Sequence, residues 1–157
     1  MPAFEIKSDL AIEASEFWSE CSLESVNWEL APVVKMTAPA DWKNRRIEDW
    51  EVGRELFKSW ILVFGILPID RHAFRLREIA PGCGFHERSS SWMNREWNHD
   101  RMIVPHDRGC TVIDRVEFIS RLPILAPLQL PICRFIFQHR HRRLRKKYGR
   151  PAPEPRG

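Results

Sequence analysis

The stretch from 72 to 120 reads HAFRLREIAPGCGFHERSSSWMNREWNHDRMIVPHDRGCTVIDRVEFIS, and it decides the fold. It contains four candidate strands, which we place at 72–79, 85–93, 95–104 and 111–120. Turn-forming strings, Pro-Gly-Cys-Gly at 81–84 and Pro-His-Asp-Arg-Gly at 105–109, lie after the first and third of them. Strands joined by such short turns pair antiparallel, so the stretch predicts an antiparallel meander.

The residues before this stretch predict three more strands and a pair of helices. Apolar residues alternate with polar ones over 4–12, which is the period of a strand with one covered face. Helical spacing follows over 14–30 and favours two short helices joined near Cys21. A brief strand at 33–37 and a long strand over 52–64 come next, separated by a polar loop at 38–49.

The residues after the meander predict one long helix. Proline recurs at 123, 127 and 131, and proline is tolerated only in the first turn of a helix, so the helix is expected to start near Pro127 or Pro131. It should end near Tyr148, before Gly149. We therefore predict an α+β fold with about 6–7 strands, in a single domain over 1–149. The Pro-rich residues 150–157 are expected to be a disordered tail.

Composition narrows the class of protein. The chain has 157 residues, a length typical of one domain, and seven Trp and nine Phe beside one Tyr indicate a roomy apolar interior. The four cysteines lack zinc-ligand or C-x-x-C spacing, and the first residues lack a secretory signal, so we expect a cytoplasmic protein. No apolar stretch is long enough to span a bilayer. The familiar metal, nucleotide and esterase motifs are also missing, so we predict no metal and no cofactor.

Positive charge is concentrated at the C-terminal end. Residues 134–157 contain nine basic residues and one acidic residue, whereas residues 1–133 contain 16 basic and 20 acidic residues. Such a cluster can contact an anionic membrane surface, or it can be a solvated helix end whose cations face the negative end of the helix dipole. Nucleic acid is disfavoured because the rest of the chain is acidic. The candidate anion contacts are Arg140, Arg142, Arg143, Arg145, Lys146 and Lys147.

Two side chains are candidates for acid–base chemistry. Asp114 shares a strand face with Val112 and Val116, where an ionised carboxylate is costly unless it is paired. It is either a general base in a cavity or the partner of a structural ion pair with Arg95, Arg101 or Arg134. His99 shares a face with Arg95, Trp97 and Arg101, and that face is either a cavity wall with a proton shuttle or the solvated side of the sheet.

Three strings resemble a known superfamily. GCGFHERSSSW at 82–92, DRVEF at 114–118 and FQHRHRRL at 137–144 are similar to segments of the SRPBCC superfamily, and in particular of its bacterial ligand-binding and cyclase/dehydrase subgroup. That superfamily includes START lipid-transfer domains, polyketide cyclases and the birch pollen allergen group. The chain departs from the pattern at Cys83, Phe118 and Gln138, where the subgroup has Pro, Tyr and Tyr.

The resemblance implies a helix-grip fold, in which a curved sheet wraps around the C-terminal helix and leaves a cavity between them. It implies binding or transport of an apolar or amphipathic small molecule, lipid-like or polyketide-like. An alternative is a cyclase/dehydratase-type enzyme that uses Asp114 and His99. The candidate ligand contacts are Trp60, Leu62, Phe74, Leu76, Trp92, Trp97, Val116, Phe118, Leu128, Ile132, Phe135 and Ile136.

Overall fold

The computed structural model describes residues 1–153, and its elements follow the predicted order with one exception. The segment 38–49, predicted to be a loop, contains a short helix at Ala40–Lys43. Short 3-10 turns lie at Ile47–Asp49 and Pro123–Leu125. The order confirms the predicted α+β class with two short helices after the first strand. The strands and helices are β1 (Ala3–Leu10), α1 (Ala14–Ser19), α2 (Leu23–Leu30), β2 (Val34–Met36), α3 (Ala40–Lys43), β3 (Glu55–Val63), β4 (Leu67–Ala80), β5 (Gly84–Ser91), β6 (Asn94–His106), β7 (Gly109–Ser120) and α4 (Ala126–Tyr148).

Seven strands form one antiparallel sheet in the order β1-β7-β6-β5-β4-β3-β2. Consecutive strands from β2 to β7 are therefore neighbours, while β1 crosses to the far edge and pairs with β7. The sheet curls around α4, which confirms the predicted curved sheet and its 6–7 strands. The segment with α1 and α2 links the two edges of the sheet and packs on the same side as α4.

Local sequence explains the ends of these elements. The β4–β5 turn closes between Ala80 and Gly84, and the β6–β7 turn closes between His106 and Gly109, both at the predicted positions. The backbone N–H of Ser25 donates to Ser22 Oγ at 3.1 Å, and the N–H of Ser22 donates to Ser25 Oγ at 3.0 Å, so α2 starts with a capping box. Helix α4 begins one residue before Pro127, as predicted, and Pro131 lies inside it.

Two clusters of buried apolar side chains make up the core. The larger one lies under α1, α2 and the C-terminal half of α4 and includes Leu10, Phe17, Trp18 and Leu144. The smaller one joins β1 and β7 to α4 through Phe4, Val116, Phe118 and Phe137. Both clusters lie on the concave face of the sheet, so this face is the one that α4 covers.

The face of β3 that packs into the interior is not the face expected from the candidate ligand contacts Trp60 and Leu62. Phe57 and Ser59 are buried, so the alternating residues Trp60 and Leu62 belong to the opposite face. Trp60 packs there edge-on against Trp92, with ring centroids 4.9 Å apart. Both faces of β3 carry large apolar residues, so alternation alone could not identify the covered one. The register also shifts after Ile61.

The predicted Pro-rich tail is only partly covered by the structure. Arg150 to Pro153 form no helix or strand, and the rest of the predicted tail lies outside the described residues. Within residues 1–153, no helix is long and apolar enough to cross a membrane. The four cysteines are free thiols.

Candidate functional site

An apolar pocket of about 290 Å³ lies between the concave face of the sheet and α4. Its inner wall includes Leu30, Trp50, Phe74, Leu76 and Phe85, from α2, the segment before β3, β4 and β5. The volume is close to the lower end of the roughly 300–1,000 Å³ range of small-molecule pockets. The pocket therefore has room for one small molecule.

Exposed apolar residues mark the mouth of this pocket. Ile69, Leu125, Leu128 and Ile132 line it and are also open to solvent, with Leu128 63% exposed. Three of the four come from the start of α4 and the turn before it, and Ile69 comes from β4. Large apolar side chains are seldom left exposed as a group unless something covers them. The mouth thus lies between the N-terminal end of α4 and the first residues of β4.

Six of the twelve predicted ligand contacts line the pocket, and the other six do not. Val116 and Phe118 face α4 but pack fully into the smaller core cluster. Phe135 lies on the exposed side of α4, whereas Trp60, Leu62 and Trp92 lie away from the pocket. The six that line it are Phe74, Leu76, Trp97, Leu128, Ile132 and Ile136.

One wall of the pocket is polar. His72, Glu87, His99 and Arg140 line it, although each of these side chains is almost completely buried. His72 Nε2 lies 2.6 Å from Glu87 Oε1, and His99 Nδ1 lies 3.5 Å from Glu87 Oε2. Glu87 is therefore held between two imidazole rings on neighbouring strands.

Asp114 lies behind this wall, in a buried network of charges. It is completely buried and does not line the pocket. His99 Nε2 lies 2.8 Å from its Oδ1, and His141 Nε2 lies 2.9 Å from its Oδ2. Arg101 donates to both oxygens, from Nε at 2.8 Å and from Nη2 at 2.7 Å. Of the three arginines proposed as partners, Arg101 is the one that pairs with Asp114.

A second buried carboxylate completes the network. Glu29 on α2 accepts from Arg101 Nη1 at 2.8 Å and Nη2 at 2.9 Å. Arg140 on α4 donates to the same carboxylate, from Nη2 at 2.8 Å and Nε at 3.0 Å. Glu29 therefore links α2 to both the sheet and α4, and both arginines have an anionic partner.

The hydrogen bonds continue from Asp114 toward the surface. His141 Nδ1 lies 2.8 Å from Ser8 Oγ, which accepts from Arg145 Nη1 at 2.6 Å. The Ser8 hydroxyl can then donate to His141 Nδ1, which leaves the His141 proton on Nε2, facing Asp114. The chain of contacts thus runs from the pocket through Asp114 to the half-buried Arg145.

These surroundings shift the pKa values of the buried acids and of His99. Burial alone would raise the pKa of the Asp114 carboxyl, but the Arg101 charge and the hydrogen bonds hold it well below its usual value. Burial would also raise the pKa of Glu87, but the charges and hydrogen bonds of His72 and His99 outweigh burial and lower that pKa. Burial would lower the pKa of His99, yet Asp114 and Glu87 raise it, because carboxylates facing both ring nitrogens favour the doubly protonated ring.

The geometry separates the structural charges from the accessible ones. Asp114 is saturated by Arg101 and two histidines, and both nitrogens of His99 face carboxylates, so neither has a position left for a ligand. His72 has only one ring nitrogen engaged among residues 1–153. The face of Trp97, His99 and Arg101 is thus the covered one, and Arg95 is exposed because the register shifts next to it.

The sequence analysis did not single out His72, Glu87, Glu29 or Arg140 for this site. Glu87 shares the covered face of β5 with Phe85, and a charge beside a large apolar residue on one face was the available signal. Glu29 offered no such signal, because it lies between Trp28 and Leu30 in a short helix.

The basic residues of α4 are divided between interior and surface. Arg140 is 4% exposed and belongs to the buried network, so it is not available to an external anion. Arg143 lies over the Trp28 ring at 4.3 Å, and Lys147 pairs with Glu20 at 3.2 Å. Arg142, Lys146 and Lys147 are exposed and Arg143 and Arg145 are half-buried, and an anionic contact stays a prediction for these five.

The curved sheet around α4 is the helix-grip fold that the resemblance implied, and solved structures share this fold. Protein CV1439 from Chromobacterium violaceum has a similar structure, with a TM-score of 0.68 and 16% identity over 94% of this chain and 97% of that one. A START superfamily protein from Mycobacterium smegmatis has a TM-score of 0.60 and 11% identity, over 93% of this chain and 96% of that one. Ara h 8.0201 has a TM-score of 0.56 and 10% identity, over 92% of this chain and 97% of that one.

Within that fold class the sequence identifies a particular family. Residues 8–148 match the family described as Domain of unknown function (DUF8410), and the chain belongs to it. No curated protein matches the chain.

Proposed function

We propose that this protein binds an apolar or amphipathic small molecule, lipid-like or polyketide-like, in the pocket between the sheet and α4. The observation that carries the proposal is a mainly apolar pocket whose mouth is bordered by exposed Leu125, Leu128 and Ile132. A ligand there would cover these side chains, and burial of apolar surface contributes about 25 cal/mol per Å². Free thiols agree with the predicted cytoplasmic location.

Filling the pocket tests this proposal. Ile136 lines the pocket, and Ile136→Trp should occupy the space that the ligand needs. Phe135→Trp is the matched control, because Phe135 is on the same helix but exposed and outside the pocket. Native mass spectrometry of the purified protein should detect a copurified or added apolar ligand in the wild type and in Phe135→Trp, but not in Ile136→Trp. Equal binding by both variants would contradict the proposed site.

Acid–base catalysis on the bound molecule is the second candidate function. His72 and Glu87 favour it, since a histidine hydrogen-bonded to a buried carboxylate is a common general base and both residues line the pocket. We assign this role to His72 in place of Asp114 and His99, which are saturated. A ligand recovered unchanged from the wild type supports the carrier. Conversion by the wild type, lost in His72→Asn, supports the enzyme.

A further inference from the structure

One buried oxygen in the wall of the pocket has no partner. Gln129 on α4 is 7% exposed and lines the pocket. Its Nε2 donates to Asn94 Oδ1 at 2.7 Å, which orients the amide, while its Oε1 is buried and accepts no hydrogen bond. Among residues 1–153, Arg71 Nε is the one other buried side-chain nitrogen or oxygen without a hydrogen-bond partner. Buried acceptors are nearly always paired in folded proteins, so this oxygen marks a place for a donor from outside the chain.

The surroundings of Gln129 restrict the chemistry of that donor. Asp70 is buried in the same pocket, and its Oδ1 accepts the backbone N–H of Arg71 at 2.8 Å and of Met93 at 3.1 Å. Met93 precedes Asn94, so Asp70 and Gln129 belong to the same end of the pocket. The carboxylate makes this end unfavourable for an anionic group.

The arginine that lines the pocket lies at the other end. Arg140 is 11 residues along α4 from Gln129, or about 16 Å at the rise of an α-helix. Its guanidinium already binds Glu29. A carboxylate or phosphate head placed near Gln129 would therefore find no arginine partner, whereas a neutral donor would find an unpaired acceptor.

We infer that the ligand of this pocket carries a hydroxyl group that donates to Gln129 Oε1, with its apolar part against the inner wall. This inference rests on the proposed function and deepens it, because it names the polar group of the ligand. A hydroxyl is the donor that fits best, since it is neutral and costs less to bury than an ammonium group.

A matched pair of ligands tests the inference. Displacement of the fluorescent apolar probe N-phenyl-1-naphthylamine is measured with 1-decanol and with its methyl ether, which keeps the chain and the oxygen but lacks the O–H. The wild type should prefer the alcohol by about tenfold. Gln129→Met, similar in shape and without the acceptor, should bind both equally. Gln138→Met is the control on the exposed side of the same helix and should keep the preference.

The outcomes separate the inference from the proposed function. Equal displacement by alcohol and ether in the wild type, or a preference that persists in Gln129→Met, overturns the inference while binding itself stands. Failure of the wild type to bind the probe or either compound overturns the proposed function and the inference with it. Decanoate provides a second measurement that needs no variant, because Asp70 should make it displace the probe more weakly than decanol. Stronger displacement by decanoate would contradict the inference.

Discussion

Asp114 is a fully buried carboxylate whose charge is stabilised by three neighbours. Taking such a group out of water costs several kcal/mol, and only close cationic partners with good geometry offset that cost. Arg101 supplies two charge-assisted hydrogen bonds, and His99 and His141 supply the others. The residue is therefore explained as part of the scaffold behind the pocket wall.

Asp114→Asn should lower the free energy of unfolding by about 3–5 kcal/mol, because it leaves Arg101 with one carboxylate fewer and turns an amide toward His141. Urea denaturation followed by circular dichroism measures the change. Asp107→Asn is the control, since Asp107 is exposed in the β6–β7 turn, and it should change stability little. A loss below about 1 kcal/mol for Asp114→Asn would contradict the structural role.

Because of His99, the free energy of unfolding should decrease as the pH rises above the usual histidine pKa. Its pKa is higher in the folded chain than in the unfolded one, so protonation stabilises the fold below about pH 6.5, the usual value for histidine. This contribution is lost as the pH rises through the folded pKa. The free energy of unfolding should therefore fall above about pH 6.5, and the fall should be smaller in His99→Gln. His106→Gln, at the end of β6, should keep the wild-type profile. An unchanged alkaline fall in His99→Gln would refute the assignment.

Among the secondary-structure elements, β5 and β6 approach each other closely at one glycine, where β5 begins. Gly84 begins β5 with a φ of 136°, where a Cβ would lie 1.9 Å from the carbonyl oxygen of Arg101. Backbone atoms of a central strand cannot move away as a flexible side chain can. Arg101 itself anchors the buried network, so the close approach at Gly84 helps to position the charges behind the pocket.

Gly84→Ala should lower the free energy of unfolding by at least about 3 kcal/mol, since the two strands must separate locally. Gly82→Ala is the matched control: Gly82 also has a positive φ, of 77°, but a Cβ there meets nothing within 4 Å. It should cost about 1–2 kcal/mol from backbone strain alone. Thermal unfolding of both variants measures the difference, and equal losses would argue against the close contact.

Helix α4 has two halves with different tasks. Its first half borders the mouth of the pocket through Leu128 and Ile132, whereas its second half buries Arg140, His141 and Leu144. Deletion of residues 140–157 would therefore remove core side chains as well as surface charge, and it cannot test membrane contact by itself. Charge reversal at the exposed Arg142 and Lys146 is the appropriate change for a vesicle-binding experiment.

At the scale of the molecule, the buried network holds together elements that are far apart in the sequence. Glu29 of α2 binds Arg101 of β6 and Arg140 of α4, and Asp114 of β7 binds Arg101 and His141. The charges connect the helix that covers the pocket to the sheet that forms its floor. We attribute the position of α4 over the pocket to this network together with the apolar clusters.

Glu29→Gln should loosen α4, because two buried arginines lose their shared anion. We expect a loss of about 3 kcal/mol in unfolding free energy and faster amide hydrogen exchange in α2 and in the second half of α4. Glu24→Gln is the control on the exposed side of α2. Hydrogen exchange measured by mass spectrometry localises the effect, and faster exchange confined to the edge strand β2 would contradict this role.

Periodicity and local backbone chemistry were enough to predict the order of the elements apart from α3, the turns at 81–84 and 105–109, and the start of α4 near Pro127. The resemblance of three motifs to a known superfamily predicted the helix-grip fold, which the structure has. The three-dimensional structure was needed to show that Trp60 and Leu62 face away from the pocket and that Arg101 is the partner of Asp114. It was also needed to show that Glu87 lies between His72 and His99 in the pocket wall and that Glu29 binds Arg140. These residues are far apart in the chain, and no local pattern specifies which face of a two-sided strand is covered or which buried charges meet across the sheet.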